Sequence, residues 1–278
     1  MASGFQLSSV PARTRVISIT SGKGGVGKTS ITANLALQLG RDGKKVLILD
    51  GDFGMANGDI MFNARPHRNL FDVLKGECSL RDILMEVAKN VTLIPGGSGV
   101  FEMSRISVFE KQHLLDQVAK LERQYDYMLI DTAPGIDDSV LYLNSAAQEI
   151  NVIVTPDPAS VADSYALIKV LNQRYRENRF TLLCNQVKDE ADGRRLFEKM
   201  DEISRRFLYV SLDYGGSIVM DPNVRQATRN QQLVLRSHPD SPAALALRRF
   251  ANKLNAYEGV DECKGSLQFF WEQMIQVA

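Results

Sequence analysis

Short apolar runs alternate with longer amphipathic stretches along most of the chain. The runs are rich in Val, Ile and Leu and cover residues 15–20, 45–50, 91–94, 127–131, 151–155 and 180–184. A further candidate lies within 207–213 or 217–220. Continuous apolar runs of this length are typical of strands that are buried on both faces, as in a parallel sheet.

The stretches between these runs have the periodicity of amphipathic helices. They cover residues 29–39, 109–123, 160–174 and 193–207. Strands that alternate with helices over a whole chain predict an α/β fold, with a doubly wound, mainly parallel sheet and helices on both faces. We expect a flexible leader at 1–14, one domain at 15–255, a hinge at 256–265 and an amphipathic helix at 266–278.

Composition excludes several classes of protein. The chain has 278 residues, and its 33 lysines and arginines balance 33 aspartates and glutamates. This balance disfavours both non-specific DNA binding through overall charge and an acidic disordered chain. The three cysteines, Cys78, Cys184 and Cys263, have no paired spacing that would indicate disulfides, zinc or an iron–sulfur cluster. No apolar run approaches the ~18 residues of a membrane-spanning helix, so we expect a soluble protein of a reducing compartment.

A glycine-rich loop follows the first predicted strand and precedes the first predicted helix. Residues 21–30 read SGKGGVGKTS and match the phosphate-loop pattern G-x-x-x-x-G-K-[ST]. Backbone N–H groups of such a loop surround phosphates, while Lys28 is placed to contact the β- and γ-phosphates and Thr29 to ligate Mg²⁺. A turn without a ligand is the alternative. The predicted nucleotide-binding residues are Gly22, Gly24, Gly25, Val26, Gly27, Lys28, Thr29 and Ser30.

Three aspartates lie at the ends of predicted strands. Asp50 and Asp52 follow the second strand, and Asp131 ends the fourth. The carboxyl ends of parallel strands form the crevice in which α/β sheets bind ligands, so these side chains are candidates for holding Mg²⁺ and positioning water. For each of them alone, a role in a turn or a helix cap is the default interpretation.

The loop also contains a second lysine, Lys23, in the sequence KGGVGKTS. This pattern resembles the deviant Walker motif of the MinD/ParA ATPases. The resemblance implies that ATP is the nucleotide and that Lys23 reaches the phosphates of a partner chain in a homodimer. It also implies that Asp131 is the Walker B acid, Asp50 a magnesium-side residue and Asp52 the residue that orients the attacking water. A solvated lysine without such a role is the alternative for Lys23.

The same resemblance suggests where the adenine base binds. Asn185 follows the strand at 180–184, where the family has an asparagine that reads adenine, and an amide can both donate to and accept from the base. Asp221 and Val224 lie in a segment similar to the family's adenine pocket. For Asn185, a strand-end cap is the competing interpretation.

The C-terminal segment has one apolar helical stripe. Its members are Leu267, Phe270, Trp271, Met274 and Ile275. A stripe of this kind suits the membrane interface, and it suits equally a helix folded back on its own domain. A basic stretch precedes it, because residues 223–253 hold six arginines and lysines against one acid, and this stretch is a candidate contact for anionic lipid.

The order of motifs along the chain is similar to the flagellar-number group of the family, FlhG/FleN. The resemblance rests on KGGVGKTS, LDGDFGMANGDI, DTAPGIDDSV, SVADSYALIKVL, DPNVRQA and GSLQFFWEQMI. It implies an ATP-bound homodimer with weak ATPase activity, a cytoplasmic protein that attaches reversibly to the inner face of the cytoplasmic membrane and sets flagellar number or placement.

The partners that this resemblance implies are the flagellar GTPase FlhF, an enhancer-binding transcription activator and flagellar switch proteins. No specific nucleic acid is predicted. Two alternatives stay open at this point: a related positioning ATPase for division, chromosomes or other cargo, and a nucleotide-gated binding module with negligible turnover.

Overall fold

The computed structural model describes residues 14–52, 58–96, 115–118, 120–121, 124–256 and 271–272. These residues contain an eight-stranded sheet with the strand order β3-β4-β2-β5-β1-β6-β7-β8. The strands are β1 (Arg15–Thr20), β2 (Val46–Gly51), β3 (Met85–Ala88), β4 (Val91–Ile94), β5 (Tyr127–Thr132), β6 (Glu149–Val154), β7 (Arg179–Val187) and β8 (Ser211–Val219).

Neighbouring strands are parallel except for β3 and β4, which are antiparallel. The predicted mainly parallel sheet is therefore confirmed. Two details differ from the prediction. Strand β8 includes parts of both candidate segments, 207–213 and 217–220. Strand β3 was not predicted, because it is a partly exposed edge strand that carries Glu86 and lacks a continuous apolar run.

Helices cover both faces of the sheet. They are α1 (Lys28–Arg41), α2 (Gly58–Met61), α3 (Leu70–Leu74), α4 (Leu80–Ile83), α5 (Asp138–Ala146), α6 (Pro158–Tyr175), α7 (Glu190–Phe207), α8 (Pro222–Arg229), α9 (Val234–Ser237) and α10 (Pro242–Ala256). Of the helix predicted at 109–123, residues 115–118 are helical and most others lie outside the described residues.

Three buried clusters hold these layers together. One joins β1 to α1 and α10 and includes Ile17, Leu35 and Phe250, whereas the other two lie under α3–α5 and under α6–α7. Buried apolar area of this extent is the main stabilising contribution to such a fold. Polar side chains lie instead at one edge of the sheet, at the carboxyl ends of the central strands.

The chain termini are described only in part. Residues 1–13 of the predicted leader and 257–265 of the hinge lie outside the described residues, while Thr14 is buried and Ala256 ends α10. Thr14 donates a hydrogen bond of 2.8 Å to the carbonyl of Tyr125. Within the described ranges, no helix combines the length and apolar content needed to cross a membrane.

Candidate functional site

The glycine-rich loop lies between β1 and α1, at the carboxyl edge of the sheet. Gly25 and Gly27 have φ angles of 76° and 96°, in the left-handed region that glycine adopts without strain. Gly27 occupies the N-cap position of α1, so no cap side chain accepts the first N–H groups of this helix, and its first turn carries no acidic residue. Unsatisfied N–H groups at the positive end of a 14-residue helix favour an anion such as phosphate.

The start of the loop is wedged against α6. A Cβ atom on Gly22 would lie 2.1 Å from the carbonyl carbon and oxygen of Asp163, inside the backbone of that helix. Only glycine allows so close an approach between two backbones. The loop and α6 are therefore in direct backbone contact.

Lys28 is the buried cation of the site. Its side chain is 7% exposed, and its Nζ donates a hydrogen bond of 3.0 Å to the hydroxyl of Ser21. Burial lowers the pKa of Lys28, while the nearby carboxylates of Asp131 and Asp52 act in the opposite direction. A buried ammonium group at the first residue of α1 is well suited to contact phosphate.

Asp50 and Asp131 lie side by side, because they are partners in the register of β2 and β5. Both are almost fully buried. Burial raises the pKa of Asp131 to about 7, the hydroxyl of Thr29 opposes this shift by hydrogen bonding, and the charge of Asp50 reinforces it. The N–H of Asp52 donates to Asp50 Oδ1 at 3.3 Å, so the predicted acids share one small region.

The Asp131 carboxylate fits a divalent cation. Its Oδ1 atom is buried and has no hydrogen-bond partner among the described residues, which is costly for a carboxylate unless a cation satisfies it. No group of three or more His, Cys, Asp and Glu side chains in those residues forms a complete metal cage. Mg²⁺ is commonly held by one or two protein groups together with phosphate oxygens and water.

Lys23 and Lys28 have different partners. Its ammonium group forms an ion pair with Asp157, and both side chains are partly exposed to solvent. Asp157 is the N-cap of α6 and also accepts a 3.1 Å hydrogen bond from the N–H of Ser160. The hydrogen bond from Lys23 is the main cause that lowers the pKa of Asp157.

Asn185 lies against the phosphate loop. Its side-chain N–H donates a 2.7 Å hydrogen bond to the carbonyl of Val26, and a Cβ atom on Gly27 would come within 2.8 Å of the same nitrogen. The amide is 8% exposed. Asn185 therefore does more than end the strand, because its side chain is hydrogen-bonded to the phosphate loop. Its contact with adenine stays a prediction.

Asp221 and Val224 lie beyond Asn185. The Asp221 carboxylate accepts hydrogen bonds from the N–H groups of Asn223 at 2.9 Å and Ala243 at 3.2 Å, so it caps α8 and the first turn of α10. Val224 is half-buried against the cluster under α1. Their roles in adenine binding stay predictions.

Only one of the five predicted membrane residues is described. Trp271 is fully buried and belongs to the apolar cluster under α3–α5. Leu267, Phe270, Met274 and Ile275 lie outside the described residues. The burial of Trp271 corresponds to the folded-back alternative for this segment.

Sequence reasoning missed two contributors to the site. Ser21 contacts Lys28, and Asp157 contacts Lys23. The Asp-Pro pair at 157–158 is a recognisable start signal for a helix, but no local pattern indicates that this cap faces the loop.

Known proteins are similar to this chain along most of its length. A family model described as an AAA domain matches residues 14–184. The antiactivator FleN of Pseudomonas aeruginosa is 39% identical over 262 residues, which is 94% of either chain. The flagellum site-determining protein YlxH of Helicobacter pylori is 34% identical over 245 residues, 87% of this chain and 82% of YlxH.

A solved structure has a similar fold and belongs to a related protein. The septum site-determining protein MinD from Pyrococcus horikoshii, complexed with Mg-ADP, is 27% identical and has a TM-score of 0.71, covering 90% of this chain and 99% of its own. The chain belongs to the MinD/ParA-type ATPases, in the FlhG/FleN group. As a MinD/ParA-type ATPase it uses ATP and Mg²⁺ and hydrolyses ATP.

Proposed function

We propose that this ATPase is a dimerisation switch that regulates the number or placement of flagella. Its similarity to an antiactivator, FleN, and to a flagellum site-determining protein, YlxH, supports the flagellar role. The observation that carries the switch is the position of Lys23, which lies in the phosphate loop but is paired with Asp157. A loop lysine held outside its own phosphate pocket is available to a second chain.

Within one chain, Lys28 and the N–H groups of the loop bind the phosphates. Thr29, Asp50 and Asp131 hold Mg²⁺, which neutralises phosphate charge when it is bound. Asp52 orients the attacking water. We assign Asp52 to positioning of this water and not to removal of its proton.

Dimerisation supplies each phosphate site with a second lysine. When two ATP-bound chains meet, Lys23 of each leaves Asp157 and contacts the phosphates bound by the other. The added positive charge stabilises the negative charge that develops during phosphoryl transfer. Hydrolysis therefore waits for dimerisation, and ATP occupancy becomes the signal that the switch transmits.

The C-terminal segment links this cycle to the membrane. Trp271 is buried on the domain in the single chain, in the same cluster as Tyr142 and Leu143 of α5. We expect the ATP-bound dimer to release this segment, so that its apolar stripe binds the inner face of the cytoplasmic membrane. The protein is then cytoplasmic after hydrolysis and membrane-attached before it.

The flagellar partners follow from the same switch. A surface that exists only in the dimer, or only in the single chain, distinguishes partners according to nucleotide state. Candidates are the flagellar GTPase FlhF, an enhancer-binding transcription activator and flagellar switch proteins. Pull-down with ATP and with ADP identifies which of them binds which state.

Light scattering tests the switch directly. Wild-type protein is expected to change from monomer to dimer mass with Mg-ATP and to stay a monomer with Mg-ADP. Lys23→Ala should bind ATP but hydrolyse it far more slowly, whereas the exposed Lys120→Ala serves as the matched control. A wild-type mass that is the same with both nucleotides would refute the switch.

Vesicle sedimentation tests the C-terminal segment. Deletion of residues 265–278 should leave ATP binding intact and remove ATP-dependent sedimentation with anionic vesicles. Undiminished sedimentation of the deletion variant would mean that the segment only packs on the domain.

A further inference from the structure

A buried chain of polar side chains crosses the centre of the sheet beneath the site. Its members are Ser18, Thr20, Thr132 and Asn144, each at most 1% exposed. Ser18 and Thr20 lie on the face of β1 that is turned towards α5, where a central parallel strand is ordinarily apolar. Buried polar groups at such a position need a specific reason, because each must be hydrogen-bonded to be tolerated.

All four members are joined by hydrogen bonds. Asn144 Oδ1 accepts from the hydroxyl of Ser18 at 2.8 Å, and Asn144 Nδ2 donates to the hydroxyl of Thr20 at 3.1 Å and to the carbonyl of Val140 at 2.7 Å. The hydroxyl of Thr132 lies within hydrogen-bond distance of the Thr20 hydroxyl at 2.9 Å, and also of the carbonyls of Ala133 at 3.0 Å and Ile19 at 3.3 Å. Both N–H bonds of the amide are used, and a satisfied network in a low-dielectric interior is rigid.

This network ends next to the acids of the site. Thr132 directly follows Asp131, and three residues further on the N–H of Gly135 donates to the carbonyl of Ser21 in the phosphate loop at 3.0 Å. The end of β5 is thus attached to α5 on one side and to the phosphate loop on the other.

Helix α5 also contacts the other acidic strand end. Leu143, the neighbour of Asn144, lies so close to Gly51 that a Cβ atom there would be 2.8 Å from Leu143 Cδ1. Gly51 separates Asp50 from Asp52. One short helix therefore sets the position of both strand ends that carry the carboxylates.

We propose that Asn144 is a positioning residue for ATP hydrolysis, which acts through Thr20 and Thr132 to hold the end of β5 in register with β1 and the phosphate loop. The proposal rests on the magnesium-side role of Asp131 given above. Residues 133–137 join Thr132 to α5, and the network fixes this segment at both ends. A displacement of this segment is thereby kept from being passed on to Asp131.

The test compares near-isosteric variants with and without the hydroxyl. Thr132→Val should lower kcat about tenfold while the ATP dissociation constant stays within about twofold, since small displacements at a reacting centre reduce rate more than binding. Thr132→Ser keeps the hydroxyl and should restore kcat to within about twofold of wild type. Asn144→Leu should resemble Thr132→Val, and the double variant should be no slower than the slower single variant, because the two residues act as one unit.

Ser145→Ala is the matched control. Among the described residues its hydroxyl donates only to the carbonyl of Tyr142 in the same helix, at 3.0 Å, so its loss should leave kcat unchanged. Urea unfolding is measured for every variant. A normal kcat with a lower urea midpoint would make the network merely structural and overturn the proposal, as would weaker ATP binding with an unchanged kcat.

These results are independent of the dimerisation switch. If Asn144→Leu fails to fold, the Thr132→Val and Thr132→Ser pair decides the outcome alone. If wild-type protein fails to dimerise with ATP, the switch is refuted, and the kcat comparison still decides the role of Asn144.

Discussion

The phosphate end of the site, with Lys28, Asp50 and Asp131, and its predicted base end, with Asn185 and Asp221, satisfy their polar groups in opposite ways. At the phosphate end Lys28, Asp50 and Asp131 are all buried, and Asp131 Oδ1 has no hydrogen-bond partner among the described residues. At the base end Asn185 and Asp221 are also buried, but their polar groups already bond to the protein backbone. The two ends lie along one edge of the same sheet.

This difference indicates which end depends on the ligand. Burial of incompletely satisfied charge costs free energy that the folded chain must recover elsewhere, and Mg-ATP supplies the missing partners. Satisfied groups cost little and contribute to stability with or without nucleotide. Changes at the phosphate end should therefore affect catalysis most, whereas changes at the base end should affect folding.

The largest expected effect comes from removing the buried cation. Lys28→Met keeps the length of the side chain and removes its charge, so kcat/KM for ATP should fall by at least about 10³-fold. The nucleotide-free variant should be no less stable than wild type, because desolvation already disfavours the charged form of Lys28. Phosphate release and urea unfolding check both points. Retained ATP-dependent dimerisation would contradict the assignment of the phosphate loop.

Removal of the Asp52 carboxylate should have the next largest effect. Asp52→Ala is expected to lower kcat about 10²-fold and to change the ATP dissociation constant by less than about threefold, since positioning of water matters only in the reaction step. Asp42→Ala, at an exposed position, is the control. Equal rates of phosphate release in Asp52→Ala and wild type would exclude Asp52 from hydrolysis.

The phosphate end was largely predictable from sequence, and the base end only in part. The loop at 21–30 is a local pattern of glycines and lysines whose chemistry depends on residues adjacent in the chain. Asp50 and Asp131 were predictable because strand ends meet at one edge of a parallel sheet. Asn185 and Asp221 lie at the sheet edge where the sequence placed them, but their bonds to Val26 and Ala243 depend on packing across many residues, and their contact with adenine stays a prediction.

Long-range contacts explain the other differences as well. The ion pair between Lys23 and Asp157, the burial of Trp271 and the position of Asn144 are set by how helices pack on the sheet. The edge strand β3 lacks the burial that makes strands recognisable in sequence. The hydrophobic periodicity of a sequence predicts whether a segment is a helix or a strand, but it does not predict which side chains are in contact in the folded chain.

Asp131→Asn should change how the free energy of unfolding depends on pH, because it removes a buried titratable group from the phosphate end. The folded chain keeps a proton on Asp131 up to about pH 7, whereas the unfolded chain loses it near pH 4, so this group makes nucleotide-free wild type less stable as pH rises between these values. The variant lacks this loss and should be more stable at pH 8 by up to about 4 kcal/mol, which is what the difference between a pKa near 4 and a pKa of about 7 corresponds to.

Urea unfolding from pH 4 to pH 8, in the presence of a chelator, measures this effect. Mg-ATP should stabilise wild type more than the variant, because the variant cannot complete the magnesium site. An identical pH dependence of the two proteins would show that the Asp131 carboxyl is better solvated or better paired than its burial implies.

The smallest expected effect is at the base end. Asp221→Ala removes a cap from α8 and an acceptor from the first turn of α10, which should lower the free energy of unfolding by about 1–2 kcal/mol without nucleotide. Burial alone raises the pKa of Asp221, but the N–H donors of Asn223 and Ala243 hold it below its usual value. The stabilisation is therefore present at neutral pH and is lost as pH falls through the lowered pKa.

Asp221→Asn, which still caps, should recover most of the loss, and ATP affinity should change by less than about threefold once the protein is folded. A tenfold loss of ATP affinity in Asp221→Asn would instead place this carboxylate in base recognition, and the contrast between the two ends would then be one of degree.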